Sequence, residues 1–503
     1  MKRLRSIPPA TAEVGRDEQR CLLIAPHFPP GTGAGALRWE KLCGHLASAG
    51  WALDVVTMDP AVLPSRDEAR LAALPAGTRV FAVAPTGAWI DPLEQAAWRA
   101  VRGLRAARAA LRKEEAMPAG APAGAPVRTT RESYASAELR WRASPDDARR
   151  AFHAYAALAR DRAWARAAAN GATRELDRGL YRAVITSGPP HMVHLAGATL
   201  ARRWGVPHVV DMRDPWSLVE RLPAAHASPI TVLVARHHER RLIRAAAAVI
   251  TNTDAHGVAL GRVYPRARQR ITTVMNGCDE DAPPPAPPTR RFLIAYTGTI
   301  YLDRNPRPLF EAAGRVVRAA SLSPDEFGIE LMGTVHSLDG VSIADVARDA
   351  GLGEYVRLRP PAPRREALEF MAHAAMLVDL PQDSTMAIPS KVFEYMSFPA
   401  WILAMAERDT ATELLLRDTP ADVVRPGDVE AIERVLRRRL EEFRGGVRPA
   451  PISADGRFSR RAQAGRLLAV LEDLAAAPVQ ETATAEGRRA AASSASRSSV
   501  VAR

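Results

Sequence analysis

Residues 21–57, CLLIAPHFPPGTGAGALRWEKLCGHLASAGWALDVVT, decide the fold. The short apolar run at 21–25 predicts a buried strand, and a turn-rich, glycine-rich stretch follows it. Residues 37–49 have the apolar spacing of a helix, Gly50 suits its end, and residues 51–57 predict a second strand. Strand, loop, helix and strand in this order form the first βαβ unit of a parallel sheet.

Alternating strands and helices continue on both sides of a proline-rich segment. Further strands are predicted before it at residues 183–186, 208–211 and 247–251, and after it at residues 292–296, 329–332, 356–358, 376–380 and 401–404. A chain of 503 residues has room for two or three domains with their own cores. We therefore predict an α/β fold of two Rossmann-like, doubly wound domains that face a cleft.

The predicted domain boundaries follow from these patterns and from two polar chain ends. The chain divides into a disordered N-terminus at 1–19, a first domain at 20–281, a proline-rich linker at 282–289, a second domain at 290–475 and a disordered tail at 476–503. The first domain carries an insertion at about 98–170, which interrupts its alternation of strands and helices.

The insertion is the most basic part of a basic chain. The net charge of the chain is +13, and residues 98–170 hold 15 Arg and Lys against 7 Asp and Glu. Arginines three or four residues apart form a stripe on one predicted helix face: Arg99, Arg102, Arg105, Arg108 and Arg112. This stripe is either a solvated helix face or a surface that docks on anionic lipid headgroups. Nucleic acid is not an expected partner, because aromatic residues are sparse in this region.

Cysteines and hydropathy limit the location of the protein and the kinds of site it contains. Cys21, Cys43 and Cys278 form no CxxC pair and no cluster with histidine, so neither a disulfide framework nor a zinc site is supported. No apolar run approaches the roughly 20 residues that a membrane-spanning helix needs, and the N-terminus has no apolar signal core. We expect a cytoplasmic protein with reduced thiols, either soluble or peripheral at a membrane.

Two stretches of the first domain follow predicted strands, where ligands of open α/β sheets bind. Gly33 and Gly35 let the backbone approach a phosphate at a helix start, although a tight turn has the same need for glycine. His194 lies one helical turn after His191 and suits a hydrogen bond to a sugar hydroxyl or to a main-chain group. The alternative is that these histidines cap or pack the helix. A metal is not expected, because the histidine pair has no third ligand.

Asp211 and Arg213 follow the next predicted strand, and Pro-Trp comes directly after them. A strand that runs into charged residues is unusual for a core, so a polar site is one interpretation. The two side chains would then position an acceptor or each other. The alternative is a structural ion pair in a loop.

Two stretches of the second domain suit a diphosphate. Arg304 and Arg307 follow a glycine turn, and guanidinium groups bind phosphate through paired hydrogen bonds, although a plain surface loop is the alternative. The stretch IPSKVFEY places Ser390 and Lys391 in the first turn of a helix, where backbone N–H groups bind phosphate. Glu394 shares a helix face with Lys391 and can accept both hydroxyls of a ribose, unless the two form an exposed ion pair.

Taken together, these stretches resemble the family 4 glycosyltransferases, which have the GT-B fold. Residues 21–57 resemble the family's opening strand, glycine-rich loop and helix. The stretch VITSGPPHMVHLAGATLARRWGVPHVVDMRDPW closely resembles the subgroup that builds bacterial cell-surface polysaccharides. IAYTGTIYLDRNPRPLFEAA and IPSKVFEYMSFPAWILA resemble its donor-binding segments. The likeness covers roughly residues 20–60 and 180–440.

The resemblance implies an enzyme that moves a sugar from a nucleotide-diphosphate sugar to a glycan or lipid-linked acceptor. The reaction would retain the anomeric configuration and need neither metal nor cofactor. If the basic insertion docks on anionic lipid, the cytoplasmic enzyme would be peripheral at the inner face of the plasma membrane. The donor would bind mainly to the second domain, across the cleft from an acceptor on the first. The roles carried over are Glu394 for the ribose hydroxyls, Arg304 or Arg307 with Lys391 for the diphosphate, Gly33 to Gly35 for phosphate or sugar, and His194 for the donor sugar.

One departure from the family pattern bears on the donor sugar. The family often carries a second Glu eight residues before the helix Glu, where this chain has Met386, with Asp383 nearby. The identity of the sugar is therefore not carried over. Two other functions share the fold. A nucleotide-sugar 2-epimerase needs paired carboxylates, of which the sequence offers no convincing example. A non-catalytic nucleotide-sugar-binding protein is favoured by Met386.

Overall fold

The computed structural model describes most of the chain and divides it into two α/β domains. The described residues are 4–7, 19–96, 99, 102, 134–136, 144–223, 227–281, 283–285, 289–300, 304–338, 340–382 and 384–476. Each domain is built on one mainly parallel sheet with helices packed against it. The predicted α/β class is confirmed.

The first domain contains an eight-stranded sheet in the order β1-β4-β3-β2-β6-β7-β9-β10, parallel except for β1. Its strands are β1 (Arg5–Ile7), β2 (Gln19–Ile24), β3 (Trp51–Met58), β4 (Arg79–Val83), β6 (Tyr181–Gly188), β7 (His208–Met212), β9 (Ala248–Thr251) and β10 (Ile271–Thr273). Strands β5 (Tyr134–Ser136) and β8 (Arg221–Pro223) form a separate antiparallel pair. Its helices are α1 (Ala34–Ser48), α2 (Ala69–Ala72), α3 (Pro145–Glu175), α4 (His194–Trp204), α5 (Pro229–Ala245) and α6 (Asp254–Val263).

The second domain contains a six-stranded parallel sheet in the order β15-β12-β11-β16-β17-β18. Its strands are β11 (Phe292–Thr299), β12 (Phe327–Thr334), β15 (Val356–Arg359), β16 (Met376–Asp379), β17 (Trp401–Met405) and β18 (Asp422–Val424), and β13 (Ser337–Leu338) pairs with β14 (Val341–Ser342). Its helices are α7 (Arg307–Ala319), α8 (Ile343–Asp349), α9 (Arg364–Ala372), α10 (Ser390–Tyr395), α11 (Ala411–Leu416) and α12 (Val429–Arg444). A last helix, α13 (Arg460–Ala476), ends the described chain.

The central strands form because their side chains are apolar on both faces. Cys21, Leu22, Leu23 and Ile24 of β2 are all fully buried between helices on the two sides of the sheet. A parallel sheet covered on both faces favours continuous apolar runs of this kind, which is why the sequence reveals these strands clearly. The strands β10 and β18 are short and flanked in the sequence by polar residues, so the sequence did not predict them.

Helix α13 returns from the second domain to the first. Ala464, Leu467 and Leu471 are buried in the same cluster as Leu23 and Leu46. The predicted boundary of the second domain at 290–475 is therefore wrong for this helix. The sequence predicts that the segment is helical, but its apolar face does not identify the domain that it packs against.

Two chain segments connect the domains, and they are hydrogen-bonded to each other. The backbone N–H of Cys278 donates to the carbonyl of Phe458 at 2.8 Å, and the N–H of Arg460 donates to the carbonyl of Cys278 at 2.9 Å. Outgoing and returning chains thus lie side by side at the hinge. Residues 282 and 286–288 of the predicted linker lie outside the described residues.

The chain ends and the insertion differ in part from the prediction. Residues 5–7 form the edge strand β1, antiparallel to β4, so the predicted disorder of 1–19 is wrong there. The second half of the insertion is one long helix, α3, which begins at a capping box formed by Ser144 and Asp147. Arg99 and Arg102 are helical and exposed, whereas Arg105, Arg108 and Arg112 lie outside the described residues, as does the tail from 477 onwards. No helix in the described part of the chain is long and apolar enough to cross a membrane.

The carboxyl ends of the two sheets meet across a gap between the domains. The hydroxyl of Thr253, just after β9, donates to the carbonyl of Met386 at 2.6 Å. Nearby, the backbone N–H of Thr385 donates to the carboxylate of Glu220 at 2.9 Å. These contacts join loops that follow strands of opposite domains, so both strand ends face one interdomain gap.

Candidate functional site

The first-domain side of the gap begins at the start of α1. Gly33 is the N-cap residue of this helix, and neither a side-chain cap nor an acidic residue occupies its first turn. The backbone N–H groups there are therefore open to an anion. A side chain at Gly33 would meet no atom within 4 Å, whereas a Cβ at Gly35 would lie 2.1 Å from Nη1 of Arg213. A side chain at position 35 would therefore have to displace the Arg213 guanidinium.

Arg213 connects three loops of the first domain. Its Nη2 donates to the carbonyl of Pro189 at 2.8 Å, and its backbone N–H donates to the carbonyl of Gly188 at 3.1 Å. Its guanidinium lies against Gly35, and among the described residues its buried Nε has no hydrogen-bond partner. The structure therefore brings the predicted residues Gly35 and Arg213 into direct contact.

Replacing Gly35 by alanine is expected to displace the Arg213 guanidinium and lower kcat/KM by about 100-fold, the effect of a displacement near 1 Å in an active site. Arg213→Ala should have a similar effect, and the double variant should be no worse than either single variant. A double-mutant cycle on kcat/KM measures this coupling. Gly44→Ala, in the same helix and free of steric overlap, is the control. Additive losses would contradict the contact.

Histidines from neighbouring strands and helices surround the end of β6. The side chain of His194 is fully buried, and its Nδ1 lies 2.8 Å from the hydroxyl of Thr186. The same hydroxyl lies 2.8 Å from Nε2 of His208. A Cβ at Gly188 would lie 2.9 Å from both Nε2 of His194 and Nδ1 of His191, so the two rings converge on the bare backbone there.

Several ring nitrogens of this cluster have no hydrogen-bond partner in the described part of the chain. They are Nδ1 of His191, Nε2 of His194, and both nitrogens of His256, which follows Thr253 in α6. His191 also stacks on Trp216, with ring centroids 5.2 Å apart. Buried polar atoms in folded proteins are nearly always paired, so this cluster is arranged for a polar ligand. The sequence predicted His194 and His191 but not His256, whose position at a helix start carries no special pattern.

The buried histidines are neutral at physiological pH. Burial lowers the pKa of His191 and of His208 to about 3 and that of His256 to about 4, and Arg213 and His256 add to the shift at His191. The pKa of His194 also lies well below its usual value, through burial and through the charges of His191, His208 and Arg213. A neutral imidazole both donates and accepts hydrogen bonds, which suits sugar hydroxyls.

These shifts predict a loss of stability in acid. An unfolded histidine binds a proton below about pH 6.5, whereas His194, His208 and His256 stay neutral in the folded state. The unfolded state therefore gains protons first, and each of the three should lower the free energy of unfolding by about 1.4 kcal/mol at pH 5.5. Thermal unfolding followed between pH 7 and pH 5 measures the slope.

A substitution at one of these histidines tests this pH dependence. His256→Leu should flatten the slope, because this ring titrates only in the unfolded state and has no hydrogen bond to lose among the described residues. Equal slopes in wild type and His256→Leu would contradict the assignment.

Asp211 lies in a buried ion pair with Arg38. Its Oδ1 accepts from Nη2 of Arg38 at 3.0 Å, and its Oδ2 accepts from Trp39 at 3.1 Å and from Ser187 at 2.8 Å. Arg38 also donates to the carbonyls of Val274 and Met275, and so ties α1 to the chain beyond β10. With both oxygens occupied, Asp211 is placed to position neighbouring elements. No local pattern in the sequence indicates Arg38 as this partner, because it lies 173 residues from Asp211.

The second-domain side of the gap is built around Lys391, in the first turn of α10. Its Nζ lies 3.3 Å from the carboxylate of Asp379, at the end of β16, and 3.6 Å from the ring centroid of Tyr296. Burial opposes its charge, but Tyr296, Tyr395 and Asp379 outweigh burial and raise its pKa above the usual value. Lys391 is therefore charged at physiological pH.

A glycine turn lies beside this lysine. Gly298 has φ +124°, and a Cβ there would lie 4.0 Å from Nζ of Lys391. Arg304 is close enough to lower the pKa of Lys391 in opposition to the groups that raise it. Arg307 begins α7 at the same edge of the sheet, and Ser390 begins α10 after Pro389. The structure thus gathers positive charge and an uncapped helix start around one turn.

Glu394 is held by an arginine that the sequence did not reveal. Arg364, at the start of α9, is hydrogen-bonded to Glu394 through Nη1 and to Asp279 through Nη2 at 2.9 Å. Asp279 lies at the hinge, where its other oxygen is 2.6 Å from Nε of Arg460 and 3.5 Å from Nζ of Lys41. The carboxylate predicted for the ribose is therefore connected to both domains.

The position of the missing family Glu is at the domain contact. Met386 accepts the hydroxyl of Thr253 through its backbone carbonyl, and Asp383 lies outside the described residues. His256 lies three residues after Thr253 in α6, on the first-domain side of this contact. Within the described part of the chain, no group of three His, Cys, Asp or Glu side chains could hold a metal ion.

Comparison with known sequences identifies relatives among glycosyltransferases. No family model matches the chain. It is 26% identical over 196 residues to a D-inositol 3-phosphate glycosyltransferase from Thermobifida fusca, covering 36% of this chain and 45% of that protein. It is 26% identical over 239 residues to D-inositol 3-phosphate glycosyltransferase 1 from Catenulispora acidiphila, covering 41% and 56%. The chain thus matches about half the length of these curated relatives.

Comparison with solved structures extends over nearly the whole chain. Sucrose-phosphate synthase from Thermosynechococcus elongatus has a TM-score of 0.56 and 15% identity, covering 92% of this chain and all of that one. Anabaena Alr3699/HepE, solved in complex with UDP and glucose, has a TM-score of 0.52 and 13% identity, covering 91% and 100%. At these identities the likeness shows the fold, and the predicted GT-B architecture is confirmed. The chain therefore has the two-domain GT-B fold, and its sequence is similar to those of glycosyltransferases.

Proposed function

We propose that the protein is a glycosyltransferase that moves a sugar from a nucleotide-diphosphate sugar to a glycan or lipid-linked acceptor. The observation that carries this proposal is the setting of Lys391. It is a charged ammonium group at an uncapped helix start, beside a glycine turn and Arg304, at the carboxyl edge of a parallel sheet. A diphosphate needs this combination of fixed positive charge and free backbone N–H groups. The relatives named as glycosyltransferases support the same reaction class.

The donor would bind with its nucleotide on the second domain. Glu394 would accept the ribose hydroxyls, and Lys391 with Arg304 or Arg307 and the N–H groups after Ser390 would hold the diphosphate. In this structure Glu394 accepts a hydrogen bond from Arg364. A ribose that binds Glu394 would share or replace that hydrogen bond. The solved relative with UDP and glucose supports a nucleotide-sugar donor.

The sugar would reach across the gap to the first domain. His194 and His191 present unpaired ring nitrogens there, and a neutral His194 can hydrogen-bond a sugar hydroxyl without adding charge. Gly33 and the open start of α1 suit a phosphate or the sugar itself. Arg213 and Asp211 would keep these loops in place. Catalysis would come from positioning and from neutralising the leaving diphosphate, with retention of configuration and without metal.

The wider setting proposed here is cell-surface polysaccharide synthesis at the cytoplasmic face of the plasma membrane. The sequence resemblance to that subgroup supports it, and so does the basic insertion at 98–170, which suits an anionic surface. Such a location would bring the enzyme to lipid-linked acceptors.

A panel of radiolabelled nucleotide sugars tests the reaction. Hydrolysis or transfer of one sugar, lost in Lys391→Met, supports a transferase. Formation of the C2 epimer would indicate an epimerase, and binding without turnover would indicate a non-catalytic nucleotide-sugar-binding protein. Either of these last two results overturns the proposed function. The panel also identifies the sugar and the base, which Met386 leaves open.

A further inference from the structure

A large groove on the first domain lies away from the interdomain gap. It has a volume of about 1690 Å³. It is lined by the C-terminal halves of α3 and α5, the C-terminal end of α4 and the first residues of β6 and β7. The starts of parallel strands are at the opposite edge of the sheet from the carboxyl ends that face the gap. This groove is therefore separate from the candidate donor site.

The groove is lined by arginines and by no carboxylate among the described residues. Seven arginines contribute to it: Arg162, Arg166, Arg178, Arg182, Arg202, Arg203 and Arg241. Only Arg203 has a side-chain partner within the described part of the chain, at Asn170 and Thr173. Elsewhere in this protein arginines are regularly paired with Asp or Glu, as in the contact of Arg160 with Asp91 at 2.9 Å. Six guanidinium groups that line one groove and have no side-chain partner among the described residues repel one another, so an anion is the expected occupant.

Two arginines of the groove, from different helices, act on the same histidine. The pKa of His238, in α5, is lowered by burial, by His237, and by the charges of Arg162 and Arg241 from two different helices. Helices α3 and α5 pack side by side, and Leu158, Val234 and Leu242 belong to or pack against one apolar cluster. The groove is thus a single positive surface shared by the two helices.

Exposed apolar side chains continue this surface along the same two helices. On α3, Tyr155, Arg162 and Arg166 are spaced by seven and four residues, which places them on one stripe over about 16 Å. On α5, Leu233 is 62% exposed and lies four residues before His237, which lines the groove. Trp89 is 68% exposed and packs edge-to-face on Tyr155, with ring centroids 6.1 Å apart.

We propose that this side of the first domain, the groove arginines together with Trp89, Tyr155 and Leu233, is a docking surface for an anionic lipid bilayer. Aromatic and aliphatic side chains at one end suit the lipid interface, and arginines suit the headgroup phosphates. A soluble polyanion would use the arginines but has no use for an exposed Trp and Leu on the same face. The inference is independent of the transfer reaction.

Vesicle sedimentation tests the arginines. The wild-type chain should bind vesicles of phosphatidylcholine with phosphatidylglycerol and not vesicles of phosphatidylcholine alone, and added salt should weaken binding. Each basic residue near an anionic surface strengthens binding roughly fivefold, so Arg162→Gln, Arg166→Gln and Arg241→Gln together should weaken it roughly 100-fold. The control triple is Arg357→Gln, Arg425→Gln and Arg434→Gln, three exposed arginines of the second domain. Equal loss in both triples overturns the proposal.

The apolar end separates a membrane from a soluble anion. Trp89→Ser with Leu233→Ser should weaken vesicle binding but leave binding of inorganic polyphosphate unchanged. If the wild-type chain binds polyphosphate at the groove but no vesicles, the site belongs to a soluble anion and the proposal is wrong. Binding of a nucleoside diphosphate, measured in the same variants, should not change, so a failed donor assignment and a failed docking surface give different results.

Discussion

Replacing Lys391 by methionine is expected to lower kcat by about 100- to 1,000-fold, the cost of removing one preorganised group that stabilises developing charge. In the proposed reaction the leaving diphosphate gains negative charge as the sugar departs, and Lys391, a buried cation at a helix start, would meet that charge. The measurement is transfer or hydrolysis of the donor that the nucleotide-sugar panel identifies, with substrate at saturation.

The same substitution should also destabilise the second domain, and this effect has to be separated from catalysis. Lys391→Met removes the ammonium group beside the buried carboxylate of Asp379, and the loss of one partner of a buried ion pair lowers the free energy of unfolding. Adding Asp379→Asn removes that charge and should restore most of the thermal stability without restoring kcat. A stable double variant with near wild-type turnover would show that Lys391 does not act on the diphosphate.

Glu394→Ala is expected to weaken binding of the nucleoside diphosphate by about 100-fold, because two hydrogen bonds from the ribose hydroxyls to a charged acceptor are lost. Titration calorimetry measures the Kd directly. The wild-type protein should bind the 2′-deoxy nucleotide more weakly than the ribonucleotide, whereas Glu394→Ala should bind the two alike.

A second carboxylate of the same domain provides the control for this variant. Glu433 on α12 is bonded to Arg437, and its side chain is 18% exposed, against 21% for Glu394. Glu433→Ala should keep both the affinity and the preference for the ribonucleotide. Retained discrimination against the deoxy nucleotide in Glu394→Ala would place the ribose elsewhere.

The sequence predicted those parts of the fold that depend on local patterns. Residues 21–25 and 292–296 were predicted as strands because both faces of each strand are apolar, and the structure has residues 21–24 in β2 and residues 292–296 in β11. The edge strand β1 was predicted as disordered because its three residues become ordered by pairing with β4. In that pairing Ser6 lies opposite Phe81, which is 75 residues later in the sequence. Helix α13 was assigned to the wrong domain for a similar reason, since its packing partner is far away in the sequence.

The sequence predicted those residues of the candidate site whose position relative to a nearby helix or strand is itself unusual. Lys391 in the first turn of a helix, Gly35 at a helix start and His194 after a strand were all found in this way. Arg364, Asp279 and Arg38 were missed, because they are defined by partners 30 to 173 residues away. A buried ion pair of this kind leaves no periodic trace in the sequence.

The paired crossing of Cys278 and Arg460 at the hinge determines how the two halves can separate. A single flexible linker would allow each domain to rotate in any direction. Two linker segments that are hydrogen-bonded to each other allow the domains to open about one axis and resist twisting. A protease cut within 283–285 would therefore leave the two fragments associated, because helix α13 remains packed in the core of the first domain. Neither half can be excised as a continuous stretch of chain without exposing an apolar surface, so any attempt to express the first half alone has to supply residues 460–476 as well.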